Sequence, residues 1–309
     1  MKNSSQIKNI AGLVERRLPA YIFRLIRKIG RVAQEHGLSA YLVGGCARDL
    51  LLGVKNLDLD IVVEGDALVL VRLLKKKIKL NLVTYPRFGT ATVTLPDGFK
   101  IDFASSRKEH YPRPASLPTV TPGAIREDLY RRDFTINTLA VKINRHGFGE
   151  LLDLFCGQKD LKTGKIRVLH NRSFIDDPTR ILRAIRFEQR YNFNIEPKTL
   201  KLIRQAVSLG LLKRLTRFRL GREFILLLKE KRPLAAILRF DKLSGLKLIH
   251  PLIKLDKTVV ARFNSRRAGD DWLKFFVLLT RKLNEQQMEK LCRDFSLTRK
   301  DKQRLKTLR

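Results

Sequence analysis

Apolar and polar positions follow different periods in the two halves of the chain. In the first half, apolar residues come in short runs closed by turn residues. Ala40–Val43 ends at Gly44-Gly45, and Asp58–Val63 and Leu80–Thr84 follow, so three strands are predicted. Thr90–Leu95 and Phe99–Phe103 flank Asp97-Gly98, a pair that predicts a hairpin. A proline-rich loop comes next, with Pro112, Pro114, Pro118 and Pro122. From Arg126 the pattern becomes helical. Lys165–Leu169 reads as extended, and a further helix is predicted to start near Pro178. Beyond about residue 197 the chain reads as almost wholly helical, with Leu-rich blocks between basic residues. Near the N-terminus, Leu13, Leu18, Tyr21, Ile22, Leu25 and Ile26 approximate helical spacing and predict a helix packed on the body. No fixed repeat or low-complexity tract is visible.

The 309 residues leave room for two or three domains, and 44% hydrophobic content suffices for a sizeable core. Charge changes the picture more. The formal net charge is +34, which disfavours an ordinary small-metabolite enzyme and points to a polyanion, either nucleic acid or an anionic membrane surface. Residues 201–309 hold 29 Lys/Arg against 10 Asp/Glu, so the helical C-terminal third is the denser cationic surface. Any single lysine there reads as part of a solvated face, whereas the excess as a whole fits RNA or DNA phosphates. No segment approaches the roughly 18 apolar residues of a membrane helix, and a strong aromatic amphipathic face for a membrane surface is lacking. The charged N-terminus does not resemble a signal peptide. Cys46, Cys156 and Cys292 lie far apart, against a disulfide scaffold or zinc site and in keeping with a reducing cytoplasm.

Four segments carry candidate chemistry. Gly44-Gly45 lies between a strand and a helix start, where backbone N–H groups can approach a phosphate, with Arg48 one turn in. The same pair also suits a plain tight connection. Asp58 and Asp60, two apart on a strand, point to one side, as a metal-assisted phosphoryl-type transfer needs. Asp102 on a later strand is either a third ligand or a surface hairpin residue. Arg131-Arg132-Asp133 either holds phosphates or pairs within itself. Asp177-Pro178 reads as a helix start, with Asp177 as N-cap and Pro178 first in the helix. Arg180, Arg183, Arg186 and Arg190 then form one stripe, whose self-repulsion calls for an anion unless the face is merely solvated.

Together, YLVGGCARDLLLG, LDLDIVVEGD, RRDFTINTLA and DDPTRILRAIRF, in this order, resemble the tRNA nucleotidyltransferase and poly(A) polymerase family. The resemblance covers roughly residues 38–200 and, more loosely, Arg214–Pro251. It implies an α+β fold, a polymerase-beta-like nucleotidyltransferase head followed by an all-α neck and body. The expected division is an N-terminal helix at 1–35, the head at 36–145, the neck at 146–210 and an RNA-binding helical body or tail at 211–309. It implies transfer of C and/or A from CTP or ATP to the 3′ end of a tRNA held by its acceptor arm, in synthesis or repair of the CCA end, with release of pyrophosphate.

By the same resemblance Asp58 and Asp60 hold Mg²⁺, acting through two metals on the terminal ribose hydroxyl. Gly44, Gly45, Arg48 and Arg132 contact the triphosphate, Asp177 and Arg180 read the incoming base, and Arg183 and Arg186 line the same site. The motifs depart from the usual pattern at Cys46-Ala47, Asp176 and Thr138, none of them an expected ligand. No His-Asp pair marks an attached phosphohydrolase domain, and the C-terminal region reads as short for the family. The proline-rich loop lies where relatives have a flexible loop that helps the switch from CTP to ATP. These motifs do not separate CCA addition from CC-only addition, A-only addition or poly(A) synthesis. A non-catalytic RNA-binding protein on the same scaffold is the rival of a different kind. The oligomeric state is not readable.

Overall fold

The computed structural model describes residues 8–55, 58–243, 245–265 and 271–309. The chain forms two compact units, Met1–His110 with Pro118–Thr163, and Tyr111–Leu117 with Gly164–Arg309. Among the described residues no helix is long and apolar enough to cross a membrane.

The first unit is built on one mixed sheet. Its strands are β1 (Lys8–Asn9), β2 (Ser39–Val43), β3 (Leu59–Glu64), β4 (Asn81–Tyr85), β5 (Thr90–Thr94) and β6 (Lys100–Ser105). β7 (Arg107–His110) and β8 (Thr119–Pro122) pair separately, and β9 (Ala140–Lys142) and β10 (Glu150–Leu152) return to the sheet. Its order is β1-β10-β9-β2-β3-β6-β5-β4. The helices are α1 (Ala11–Arg17), α2 (Ala20–Glu35), α3 (Gly45–Leu52), α4 (Ala67–Lys77), α5 (Ile125–Tyr130) and α6 (Gly157–Lys162).

Burial explains these strands. In β2, Ala40, Tyr41, Leu42 and Val43 are all buried, as befits a central strand covered on both faces. In β5 only Ala91 and Val93 are buried, so the threonines alternate outward. β5 and β6 form the hairpin predicted at Asp97-Gly98. Gly98 takes the left-handed conformation, and the Asp97 carboxylate accepts the Phe99 N–H at 3.0 Å. Val62 joins Tyr41, Val43, Ile125 and Leu129 in a core cluster beneath α5. Ile61, Val63 and Phe103 point the other way, toward the layer formed by α2 and α4.

Several expectations need correction. The N-terminal helix is two helices. Leu18, before Pro19, is extended because the proline ring disfavours a helical predecessor. Of the 1–35 segment, residues 1–7 lie outside the described residues. The proline-rich loop contains the ribbon β7–β8, whose mostly polar and exposed residues give no apolar alternation. The chain is not continuously helical after Arg126. It passes from α5 through a 3₁₀ turn, Thr135–Asn137, into β9 and β10. The sheet therefore takes in residues beyond 145. α4, whose Leu-Val-Leu-Val run resembles a strand, starts at Asp66, whose carboxylate accepts the Leu68 N–H at 2.7 Å.

Among its described residues, the second unit pairs strands only in one parallel contact between β11 (Lys165–Ile166) and β12 (Asn194–Ile195) and is otherwise helices and their connections. Its main helices are α7 (Ser173–Asp176), α8 (Thr179–Tyr191), α9 (Pro197–Ser208), α10 (Arg217–Leu228) and α11 (Pro233–Asp241). α12 (Leu246–Ile249), α13 (Lys257–Asn264), α14 (Trp272–Thr280), α15 (Glu285–Asp294) and α16 (Arg299–Leu308) complete it. Phe174, Phe224, Phe240 and Phe276 are its largest fully buried side chains.

α2 seats very closely in the first unit. A methyl on Gly30 would lie 1.7 Å from the Ile143 carbonyl oxygen. Gly30→Ala is expected to cost about 3 kcal/mol, the upper end for overpacking, and to lower the thermal midpoint by about 10 °C. An unchanged melting curve would contradict this seating.

Candidate active site

The parallel pairing of β3 with β6 puts Asp60 opposite Asp102. Asp58 precedes Asp60 by two residues and shares its side of the sheet. One carboxylate oxygen from each of the three lies within 4.8 Å of the others. Asp102, left open by the sequence, thus belongs to the cluster, and its Oδ1 accepts the Thr92 hydroxyl at 2.6 Å. Asp58 and Asp102 are exposed, and Asp60 is half-buried.

Burial, then the charge of Asp58, pushes the Asp60 carboxyl up to about 6; Asp102 adds to this and Arg132 opposes it. Three hard oxygen donors this close fit one divalent cation, which takes such ligands at about 2.0–2.6 Å and would offset their repulsion. Neighbouring Cys46 is buried, and its thiol is pushed up to about 12, mainly by burial, so it is no nucleophile at neutral pH.

Gly44 borders the cluster. Its φ of 60° and ψ of −124° suit glycine, and a methyl there would lie 2.8 Å from Arg132 Nη1 and 4.0 Å from Asp60 Oδ2. Gly45 opens α3 directly after it. Arg132 is steered from behind by Asp128, a fully buried carboxylate. Asp128 Oδ2 accepts Arg132 Nη2 at 2.9 Å, and Oδ1 accepts Arg131 Nη2 at 2.7 Å. Burial raises the Asp128 carboxyl, but the two guanidiniums outweigh it and hold the group below its usual range. A cavity of about 270 Å³ opens here, lined by Asp60, Asp102, Thr92, Tyr85, Arg131 and Arg132 among others.

Arg48 does not present its fork outward as expected. It is 4% exposed, with Nε and Nη2 on the Asp49 carboxylate at 2.8 and 2.9 Å and Nη1 on Asn137 Oδ1 at 2.6 Å. It ties α3 to the turn after Asp133, whose own Oδ1 accepts Asn137 Nδ2 at 2.9 Å.

In the second unit, Pro178 is the N-cap and α8 begins at Thr179, one residue later than expected. Asp177 still works as a cap, its Oδ1 accepting Thr179 N–H at 3.0 Å and the Thr179 hydroxyl at 2.6 Å. Arg219 Nη2 donates to the same oxygen at 2.8 Å. Arg180 is buried and donates to Ser173 Oγ at 2.7 Å.

Two glutamates face part of the arginine stripe, while Arg186 Nε stays buried without a hydrogen-bond partner. Glu223 Oε2 accepts Arg186 Nη1 at 3.2 Å, and Glu223 lies 4.0 Å from Arg183. Glu230, just past α10, pairs with Arg190 and lies 3.8 Å from Arg186 Nε. Arg183 and Arg186 also sit over the Phe187 ring at 5.5 and 5.6 Å.

Asp128, Glu223 and Glu230 were missed. Asp128 was readable as a helical i,i+3 and i,i+4 partner of Arg131 and Arg132. The two glutamates repeat at seven residues, the period of the stripe they oppose, but nothing local pairs α10 with α8.

The sheet, its acidic cluster and the helices that follow define a polymerase-beta-like head with an α-helical continuation. Residues 40–167 match the family described as Poly A polymerase head domain, and residues 192–256 match the probable RNA and SrmB-binding site of polymerase A. The chain is 42% identical over 315 residues to an A-adding tRNA nucleotidyltransferase of Geobacter sulfurreducens, covering 98% of this chain and 36% of that protein. An A-adding tRNA nucleotidyltransferase of Aquifex aeolicus is 45% identical over 235 residues, covering 76% of this chain and 28% of its own length. A solved Thermotoga maritima CCA-adding enzyme, complexed with tRNA, superposes with a TM-score of 0.80 at 37% identity, over 97% of this chain and 72% of that one. The chain belongs to the tRNA nucleotidyltransferase and poly(A) polymerase family. It spans about a third of the length of the two A-adding relatives.

Because the folded state holds the Asp60 proton more tightly than the unfolded chain, its contribution to stability is lost as pH rises from about 4 through about 6. In a chelator, Asp60→Asn is therefore expected to melt a few degrees above the parent chain at pH 7.5. That gap should close as pH is lowered toward 4. A gap independent of pH would show that Asp60 carries no such penalty.

Proposed function

We propose that this chain is a template-independent tRNA nucleotidyltransferase that adds A, from ATP, to a tRNA 3′ end. The convergence of Asp58, Asp60 and Asp102 beside Arg132 carries this reading. A-addition is favoured over CC or CCA addition by the Geobacter sulfurreducens relative, which matches nearly the whole chain. In the reaction the terminal ribose hydroxyl gives its proton to solvent, its oxygen bonds to the α-phosphorus of the triphosphate, the bond from the α-phosphorus to the α–β bridging oxygen breaks, and pyrophosphate leaves with that electron pair.

Asp58 and Asp60 would hold Mg²⁺, with Asp102 as a third acidic neighbour. The metal, when bound, lowers the cost of ionising the hydroxyl and neutralises charge on the leaving group. Arg132, braced by Asp128, binds the triphosphate next to Gly44, where the absence of a side chain leaves room for a phosphate. Arg48 acts by fixing α3 to Asn137. Asp177 and Arg180 select the base, since a carboxylate and a guanidinium offer opposite hydrogen-bonding character. Arg183 and Arg186 act through α10, keeping the start of α8 in place.

The test is incorporation of labelled ATP and CTP, separately and together. The substrates are tRNAs ending before CCA, after C and after CC, with an unrelated RNA as control. ATP alone is expected to label the CC-ended tRNA. CTP incorporation would point to CC or CCA addition, long A tracts on the unrelated RNA to poly(A) synthesis, and no incorporation to a non-catalytic RNA binder. Asp58→Ala and Asp60→Ala are expected to abolish incorporation while tRNA binding persists; equal activity in both would defeat the metal assignment. Asp177→Ala or Arg180→Ala should loosen the choice among the four triphosphates, and unchanged selectivity would reduce them to a cap and a buried charge.

A further inference from the structure

The helical layer of the first unit carries charge for which the nucleotide chemistry has no use. On α2 the exposed residues include Arg24, Arg27, Lys28 and Arg31. On α4 they include Arg72, Lys75 and Lys76, with Lys79 just beyond the helix. Arg24, Arg27, Lys28 and Arg31 follow the spacing i, i+3, i+4, i+7 on α2, and Arg72, Lys75 and Lys76 follow i, i+3, i+4 on α4, so each set forms one stripe on one helix face. The stripes adjoin, because Lys28 Nζ donates to the Lys77 carbonyl at 3.0 Å and Lys77 pairs with Glu35 at 2.7 Å.

Glu35 is the only acidic residue in either helix. The stripe on α8 is faced by Glu223 and Glu230, but neither α2 nor α4 supplies an equivalent pair. Like charges at three- and four-residue spacing repel, and a bound polyanion removes that penalty.

The partner's chemistry follows from what accompanies the charge. Tyr21 and Val69 are the exposed large apolar side chains of these helices, too little to seat a helix layer in a lipid surface. Arginines are prominent, and their planar forks suit phosphate. Two adjoining cationic rows suit a polyanion that presents two phosphate backbones, as a base-paired segment does. The layer lies on the side of the sheet bearing Ile61, Val63 and Phe103, away from the acidic cluster. We infer that α2 and α4 form a second RNA-binding surface, which holds the phosphate backbone of a base-paired segment independently of sequence and of the acidic cluster.

The test uses the full chain and a labelled, blunt-ended RNA duplex with no 3′ extension, so its outcome does not depend on nucleotide transfer. Arg24→Gln, Arg31→Gln, Arg72→Gln and Lys75→Gln are combined in one variant. A control of equal charge change combines Lys100→Gln, Arg145→Gln, Lys159→Gln and Lys162→Gln, four exposed cations elsewhere in the same unit. The first variant is expected to lose about ten-fold or more in affinity, with the slope of log affinity against log salt shallower by about 3, and the control should change little. A third variant, Arg24→Lys, Arg31→Lys and Arg72→Lys, keeps the charge and should retain binding, which separates charge from folding. Equal losses in the first variant and the control, or no loss in either, would overturn the assignment. So would a first variant that binds the duplex normally and instead loses binding to phosphatidylserine vesicles.

Discussion

Three carboxylates forced together on neighbouring strands repel one another, and the head is organised around that repulsion. The β3–β6 register makes the proximity unavoidable, since a side chain cannot leave its face without the whole strand slipping. Arg132 is the first counterweight, and it cannot wander because Asp128 grips it from the buried side. Asp128 grips Arg131 as well, and Arg131 reaches Glu109 on β7 at 2.8 Å. Charge on the open face is thus tied through alternating signs to the interior. A second chain, Asp49–Arg48–Asn137–Asp133, fixes the glycine turn from the other side.

The second unit follows the same logic with the signs exchanged. An arginine row that would be costly to bury is accommodated because Glu223 on α10 and Glu230, two residues past its end, bring carboxylates seven residues apart. Arg186 shows the balance: burial works against its charge, and Glu223 and Glu230 work for it. Taking away either glutamate would strand a desolvated guanidinium, a larger loss than any surface ion pair could cause. A formal charge of +34 is therefore a poor map of where a polyanion binds, because cations occur in both compensated and uncompensated settings.

What the sequence disclosed was what depends on local pattern. The hairpin at Asp97-Gly98, the strand after Leu38 and the glycine turn needed only neighbours along the chain. Asp58 and Asp60 were readable because a strand has period two. Asp102 was ambiguous because its role depends on which strand β3 chooses as partner, and that pairing is fixed by a long crossover. The same limit hid Glu223 and Glu230, which matter only once α10 lies against α8. Arg48 misled for the opposite reason: an arginine after a glycine pair looks like a phosphate ligand, but the adjacent Asp49 had already claimed it. The ribbon at Arg107–Pro122 escaped because its strands are polar and interrupted by prolines.

The polypeptide passes from one unit to the other three times, at His110, Leu117 and Thr163. The short excursion is bonded into its adopted unit: Ala115 N–H donates to the Ile175 carbonyl at 3.1 Å, and its own carbonyl accepts Arg219 Nη1 at 2.8 Å. Arg219 is also the residue that holds Asp177. A fragment cut after Thr163 would carry seven residues that belong to the other half, and the remainder would lack the strap that helps orient its own arginine. The two units are thus interleaved along the chain, so neither can be exchanged as a single continuous cassette.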